Sequence, residues 1–181
     1  MDSEKIGVMG HSAGAQILLL WIGSRKSPAG AAVSLDTTAE YDTPGTVAHK
    51  YLFNAMRKLP GPKIPILLFA SQARRPRFEN FDRYLSKSPR YEAAAAELRH
   101  DDFLTHGFLG RALMNSPDAD AVRKSYEQVC RTIRRFFDAT LNKDAESERL
   151  LQQGEHGAPV SVRFRPALSR AKTANDAATS R

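Results

Sequence analysis

Apolar positions along the chain follow two rhythms in alternation. Ile6 to Met9 is a short apolar run with no polar break, the pattern of a parallel strand covered on both faces. A helical stretch of about Ala13 to Gly23 follows. It is apolar all round at Ile17, Leu18, Leu19, Leu20, Trp21 and Ile22, which predicts burial on more than one side. Ala31 to Leu35 is a second short strand, ending at Asp36. Pro44 marks a helix start and Pro60-Gly61-Pro62 a stop, giving a helix of about Thr46 to Leu59 with Val47, Tyr51, Met56 and Leu59 as its apolar positions. Ile64 to Ala70 is the third strand, with Pro65 near its start, where proline is tolerated.

After a basic loop, Phe78 to Leu85 is a short helix candidate. Tyr91 to Arg99 favours helix by its alanines, but its place after a helix predicts a fourth strand leading into His100. Asp101 to Asn115 is helix or loop and helix. Ser116-Pro117-Asp118 then opens a long amphipathic helix of about Ala119 to Leu141, with Val122, Tyr126, Val129, Cys130, Ile133, Phe136, Phe137 and Leu141 in one stripe. A shorter helix spans Ala145 to Gln153, and Val160 to Phe164 alternates like an edge strand. Strands alternating with helices predict an α/β fold with a mostly parallel sheet and helices on both faces. Residues 1–166 form this unit, and 167–181, without periodicity, are expected to be a disordered tail.

The junction of the first strand and helix carries chemistry. Gly10-His11-Ser12-Ala13-Gly14 fits G-x-S-x-G with a strand before it and a helix after, the setting of a nucleophile elbow. The glycines let strand and helix approach, the turn lifts the Ser12 hydroxyl clear, and the Ala13 N–H points to a developing oxyanion. An elbow serine needs a base, and the base needs an orienting acid. Of five histidines, His11 is expected to point away from the site, His49 is mid-helix and His156 is in a late loop. His100, after the last parallel strand, is the candidate base, with His106 its rival. Asp36, at a strand's carboxyl end, is the candidate acid, because Ser71 to Arg75 after the third strand offer no carboxylate. Asp82 is a distant rival.

Ser12 in Gly-His-Ser-Ala-Gly, Asp36 after Ala-Val-Ser-Leu and His100 in His-x-x-Phe together resemble the platelet-activating-factor acetylhydrolase and dienelactone-hydrolase-like branch of the α/β-hydrolases, over about residues 3 to 141. The resemblance implies a serine esterase working through an acyl-enzyme on Ser12, His100 and Asp36, with no cofactor and no metal. Such proteins place about four strands ahead of the elbow, one loop of which supplies the second oxyanion N–H. Here the elbow begins at residue 10, so the expectation is the C-terminal half of a hydrolase domain, with the Ile6 strand as an exposed apolar edge. That edge predicts a missing N-terminal half as partner, or a homo-oligomer, and leaves open a non-catalytic chain that acts by association.

Composition changes this picture little. Hydrophobic residues make up 41% and charged residues 26% of 181, ordinary for a globular protein. No apolar run would span a membrane. The lone Cys130 and the absence of a signal peptide fit the cytoplasm. The net charge of +7 raises nucleic acid as a partner. The scattered arginines lack the aromatic interleaving of a single-strand binder, so a solvated surface is the expectation. Arg74-Arg75-Pro76-Arg77 could meet an anionic group of a small-molecule or lipid ester, or be a plain solvated loop.

Overall fold

The computed structural model describes residues 5–24, 26–37, 39, 47–71, 78–113, 117–153 and 160–168. Its strands are β1 (Gly7–His11), β2 (Ala31–Leu35), β3 (Ile66–Ser71), β4 (Arg90–Ala95) and β5 (Val160–Arg165). They form one five-stranded sheet in sequence order. β1 to β4 are parallel and β5 is antiparallel to β4. β2 and β3 are buried along their whole length, which is why both are near-continuous apolar runs.

The helices are α1 (Ala13–Ile22), α2 (Val47–Arg57), α3 (Thr105–Leu113), α4 (Ala119–Leu141) and α5 (Ala145–Gln153), with 3-10 turns at Phe78–Phe81 and His100–Phe103. On one face of the sheet Leu18, Leu19 and Ile22 of α1, and Leu52, Phe53 and Met56 of α2, pack with Phe81 and Leu85. On the other, Val122, Val129 and Phe136 of α4 and Leu151 of α5 cover Val33, Leu67, Phe69 and Tyr91. The stripe at helical spacing in α4 is therefore a core stripe, except at Cys130, which is exposed.

Several expectations are corrected. α1 is not buried on more than one side: Ala15, Leu18, Leu19 and Ile22 form a single buried face, while Ile17 and Trp21 are 68% and 41% exposed, because no element among the described residues covers the flank of β1 beyond them. Tyr51 of α2 is 76% exposed, and among the described side chains the buried positions of that helix are Leu52, Phe53 and Met56, one face at i, i+1 and i+4. The Phe78 helix shrinks to one 3-10 turn. β4 ends at Ala95, four residues before Arg99. Asp118 does cap α4 by position, but its carboxylate turns to Arg111 instead of the helix N–H groups.

The edges of the sheet are treated differently. β5 covers β4 with a charged ladder. Glu92 stands opposite Arg163, and Arg90 opposite Arg165. β1 is the other edge, the exposed apolar edge expected of it, and the covering on both faces that its apolar run predicts does not hold, since Met9 is 57% exposed.

Candidate active site

Parallel pairing brings the carboxyl ends of β1, β2 and β4 to one side of the sheet. His11 lies in register with Leu35, and Leu35 with Phe69. Ser12 follows β1, Asp36 follows β2, and His100 comes five residues after Ala95. Crossover geometry thus converges three residues that are up to 88 positions apart.

Ser12 sits at φ 54° and ψ −125°, in left-handed backbone that a serine rarely adopts. Its N–H donates to Leu35 O at 3.0 Å, and its carbonyl accepts from Ala15 and Gln16 as α1 begins. A Cβ on Gly10 would come within 2.8 Å of Gly14 O, so Gly10 is the glycine that lets the strand meet the helix. A Cβ on Gly14 would meet nothing within 4 Å among the described residues, so the expected need for a second glycine is not visible in its contacts. The Ala13 N–H opens α1, where helix geometry provides no intrahelical acceptor.

Asp36 also has positive φ, 44°, and is 1% exposed. Its N–H donates to Phe69 O at 2.8 Å, and its Oδ1 accepts the Ser71 N–H at 3.0 Å. β3 therefore contributes a backbone donor that fixes an acid carried by β2. The other carboxylate oxygen, Oδ2, accepts from His100 Nδ1 at 2.8 Å, and the Ser12 hydroxyl donates to His100 Nε2 at 3.0 Å. The structure brings Ser12, His100 and Asp36 together in one hydrogen-bonded chain. A base within hydrogen-bond reach of a hydroxyl, itself oriented by a buried acid, can activate that hydroxyl as a nucleophile.

The rivals lie elsewhere. His106 is exposed on α3. Asp82 pairs with Arg90 at 2.7 Å, at the start of β4 and the opposite end of the sheet. His49 lies on α2. His156 and the Arg74 to Arg77 loop lie outside the described residues.

His11 is the one clear misplacement. Its place beside Ser12 predicts a side chain turned away from the site, yet its Nε2–H donates to His100 O at 2.9 Å and the two rings lie 4.6 Å apart. Strand alternation supplies the reason. Gly7, Met9 and His11 share a face of β1, and Gly7 looks onto Phe137 of α4, so His11 looks to the same side, where the His100 turn packs. Phe103, the aromatic of His-x-x-Phe, is buried beside both His11 and Phe69, with ring centroids 6.3 and 6.2 Å away.

Burial lowers the pKa of His11 from its ordinary value. The nearby positive charge of protonated His100 lowers it further, while the bond to His100 O and the charges of Asp36 and Asp101 pull it back up. A histidine held neutral by the fold takes up its proton more readily when unfolded. Stability from it is therefore complete above pH about 6.5 and is lost as pH falls below that value. Thermal melts from pH 8 to pH 5 should show a smaller acid drop for His11→Gln than for the wild type. Equal drops would mean that other groups carry the acid sensitivity.

The His100 turn has its own anchor. Asp102 is buried; it accepts the Arg99 N–H at 2.7 Å and pairs with Arg111 of α3, which also holds Asp118. Gly107 sits against this turn, and a Cβ there would fall 2.1 Å from Asp101 O. Because the obstacle is backbone, Gly107→Ala must push α3 or the turn. A displacement near 1 Å at a general base lowers rates about a hundredfold. We expect that loss in Ser12 labelling by a fluorophosphonate, and a labelling rate within twofold of wild type would mean that α3 moves and the turn stays.

Among the described residues no cluster of histidine, cysteine and carboxylate side chains could hold a metal ion, and no helix is long and apolar enough to cross a membrane. Comparison with protein-family models gives no match, and neither does comparison with curated proteins. The fold and the site geometry stand on their own: an α/β chain with a five-stranded, mostly parallel sheet, and a Ser–His–Asp chain at the carboxyl ends of its strands.

Proposed function

We propose that the protein is a serine hydrolase of carboxylic esters, built on part of an α/β-hydrolase fold. The observation that carries this reading is the unbroken chain from Asp36 Oδ2 through both ring nitrogens of His100 to Ser12 Oγ, with Ser12 held at positive φ between β1 and α1. Ser12 Oγ attacks the ester carbonyl while His100 Nε2 takes its proton. Asp36 keeps the Nδ1 proton on the far side of the ring and stabilises the imidazolium. The Ala13 N–H meets the oxyanion. His100 then protonates the leaving alcohol, and water attacks the acyl-enzyme by the reverse sequence. The substrate class is a small-molecule or lipid ester.

A fluorophosphonate probe tests the reading directly, because it phosphonylates only an activated serine. The expected result is modification of Ser12 in the folded chain, none in heat-denatured chain and none in His100→Ala. Absence of labelling in the folded protein would overturn it.

A second reading has an observation of its own. The edge of β1, unpaired among the described residues, and the exposed Met9, Ile17 and Trp21 beside it favour a chain that works by association. Light scattering separates the two: a stable monomer with an active Ser12 supports the hydrolase, and a labelling-inert oligomer supports association.

A further inference from the structure

The sheet's other end holds a second candidate site. A cavity of about 360 Å³ opens between α2 and the segment leading into β4. That is within the range of small-molecule sites. Its apolar wall comes from Phe53, Met56, Leu59 and Tyr84. The Tyr84 hydroxyl is spent: it donates to Leu19 O at 2.7 Å, and burial raises its pKa to about 12. Tyr84 therefore presents its ring as wall and offers no acid.

Three cations, Arg57, Arg83 and Lys87, line the same cavity, and among the described residues no carboxylate does. Most described arginines elsewhere in the molecule differ in this respect. Arg90, Arg111, Arg163 and Arg165 all pair with carboxylates, as do the helix-surface arginines 123, 131, 134 and 149. At the cavity, among the described residues, Arg57 reaches only the Asn54 side chain, at 3.3 Å, and Lys87 only Pro60 O, at 3.2 Å. Asp82, the sequence neighbour of Arg83, is taken by Arg90 and Arg165. Glu79, the other nearby acid, does not line the cavity. A basic rim that no described carboxylate pairs with, over an apolar floor, selects an anion with an apolar tail.

We propose that this cavity binds a small amphiphilic anion, with its carboxylate or phosphate head on Arg57, Arg83 and Lys87 and its alkyl tail against Phe53, Met56 and Leu59. The site is separate from Ser12. Its lining residues precede β3 and β4, while Ser12, Asp36 and His100 follow the strands' carboxyl ends. Strands of six residues put the two about 20 Å apart. Occupancy does not depend on any reaction at Ser12.

Calorimetric titration of the full chain with decanoate, decyl phosphate, decyltrimethylammonium and acetate tests the proposal. Decanoate or decyl phosphate should bind one to one, and the tighter of the two identifies the head group. Decyltrimethylammonium, with the same tail and the opposite charge, and acetate, with the head alone, should each bind at least tenfold more weakly. The triple variant Arg57→Gln, Arg83→Gln, Lys87→Gln changes exposed side chains only, so folding is preserved, and it should weaken anion binding at least tenfold. Ser12→Ala should bind as the wild type does. Equal binding of the cationic and anionic tails, unchanged binding by the triple variant, or no binding of either anion would overturn the site. The first two outcomes would place the ligand on the exposed apolar flank of β1 and α1.

Discussion

Asp36→Asn is expected to slow turnover of an activated aryl ester such as 4-nitrophenyl acetate by about ten-thousandfold, with little change in KM. Among the described residues, the Asp36 carboxylate accepts hydrogen bonds from His100 Nδ1 at 2.8 Å and from the Ser71 N–H at 3.0 Å. An asparagine keeps one acceptor. The Ser71 N–H claims it, since a buried backbone donor left unpaired costs about 1–3 kcal/mol. The amide NH2 then faces His100 Nδ1, which must become an acceptor. The ring proton moves to Nε2 and points at Ser12, so the base is present in the wrong tautomer. Little of the fold changes, because one isosteric group has been exchanged. The melting temperature should therefore stay within a few degrees while both ester turnover and phosphonylation of Ser12 collapse. Asp82→Asn, at the opposite end of the sheet, should leave both rates unchanged. Wild-type rates in Asp36→Asn would remove Asp36 from the mechanism and leave a Ser12–His100 pair without an acid.

Much of this site is legible in the sequence because its parts are local. Gly10 to Gly14 specifies a turn between a strand and a helix, and the parallel pattern then puts Ser12 and Asp36 at the same edge without knowledge of any contact. His100 follows from the same rule once Tyr91 is placed in a strand. What escapes is whatever depends on a face. Strand alternation puts His11 on the side of Gly7 and Met9, but nothing local says that the His100 turn covers that side. Tyr51 fails for a similar reason: α2 has apolar residues at positions 51, 52, 53 and 56, and only the sheet decides that Leu52, Phe53 and Met56 face inward. The Arg111 bridge between Asp102 and Asp118 joins two helices and a turn across a break in the pattern, and no periodic signal marks it. α4 is the opposite case. Its boundaries are visible because a 23-residue stripe repeats often enough to define its own face.

The same contrast between local and cross-strand information governs the largest stability effect, which is expected at Glu92. Arg163 and Arg165 alternate with apolar residues on β5, so the sequence marks them as the outer face of an edge strand. In the sheet they converge on one carboxylate. Arg163 Nε donates to Glu92 Oε2 at 2.8 Å, Arg165 Nε lies 3.0 Å from Oε1, and Arg90 Nη1 is 4.0 Å from it. Arg90 and Arg165 are direct cross-strand neighbours of like charge, tolerated because Glu92 and Asp82 lie between them. Glu92→Ala removes the shared counter-charge and leaves the buried Arg90 with Asp82 alone. Breaking a buried ion pair from one side costs about 3–5 kcal/mol. Arg163 and Arg165 keep access to water, so the lower end of that range applies. At about 2–4 °C per kcal/mol for a chain of this size, the melting temperature should fall by about 6–12 °C. Arg163→Ala removes an exposed partner and should cost less than about 1 kcal/mol. The asymmetry between the two variants is the test. If both lower the melting temperature equally, the cluster acts as surface pairs. If Glu92→Ala alone is severe and also opens β5 to proteolysis, the buried carboxylate is what fastens β5 to β4.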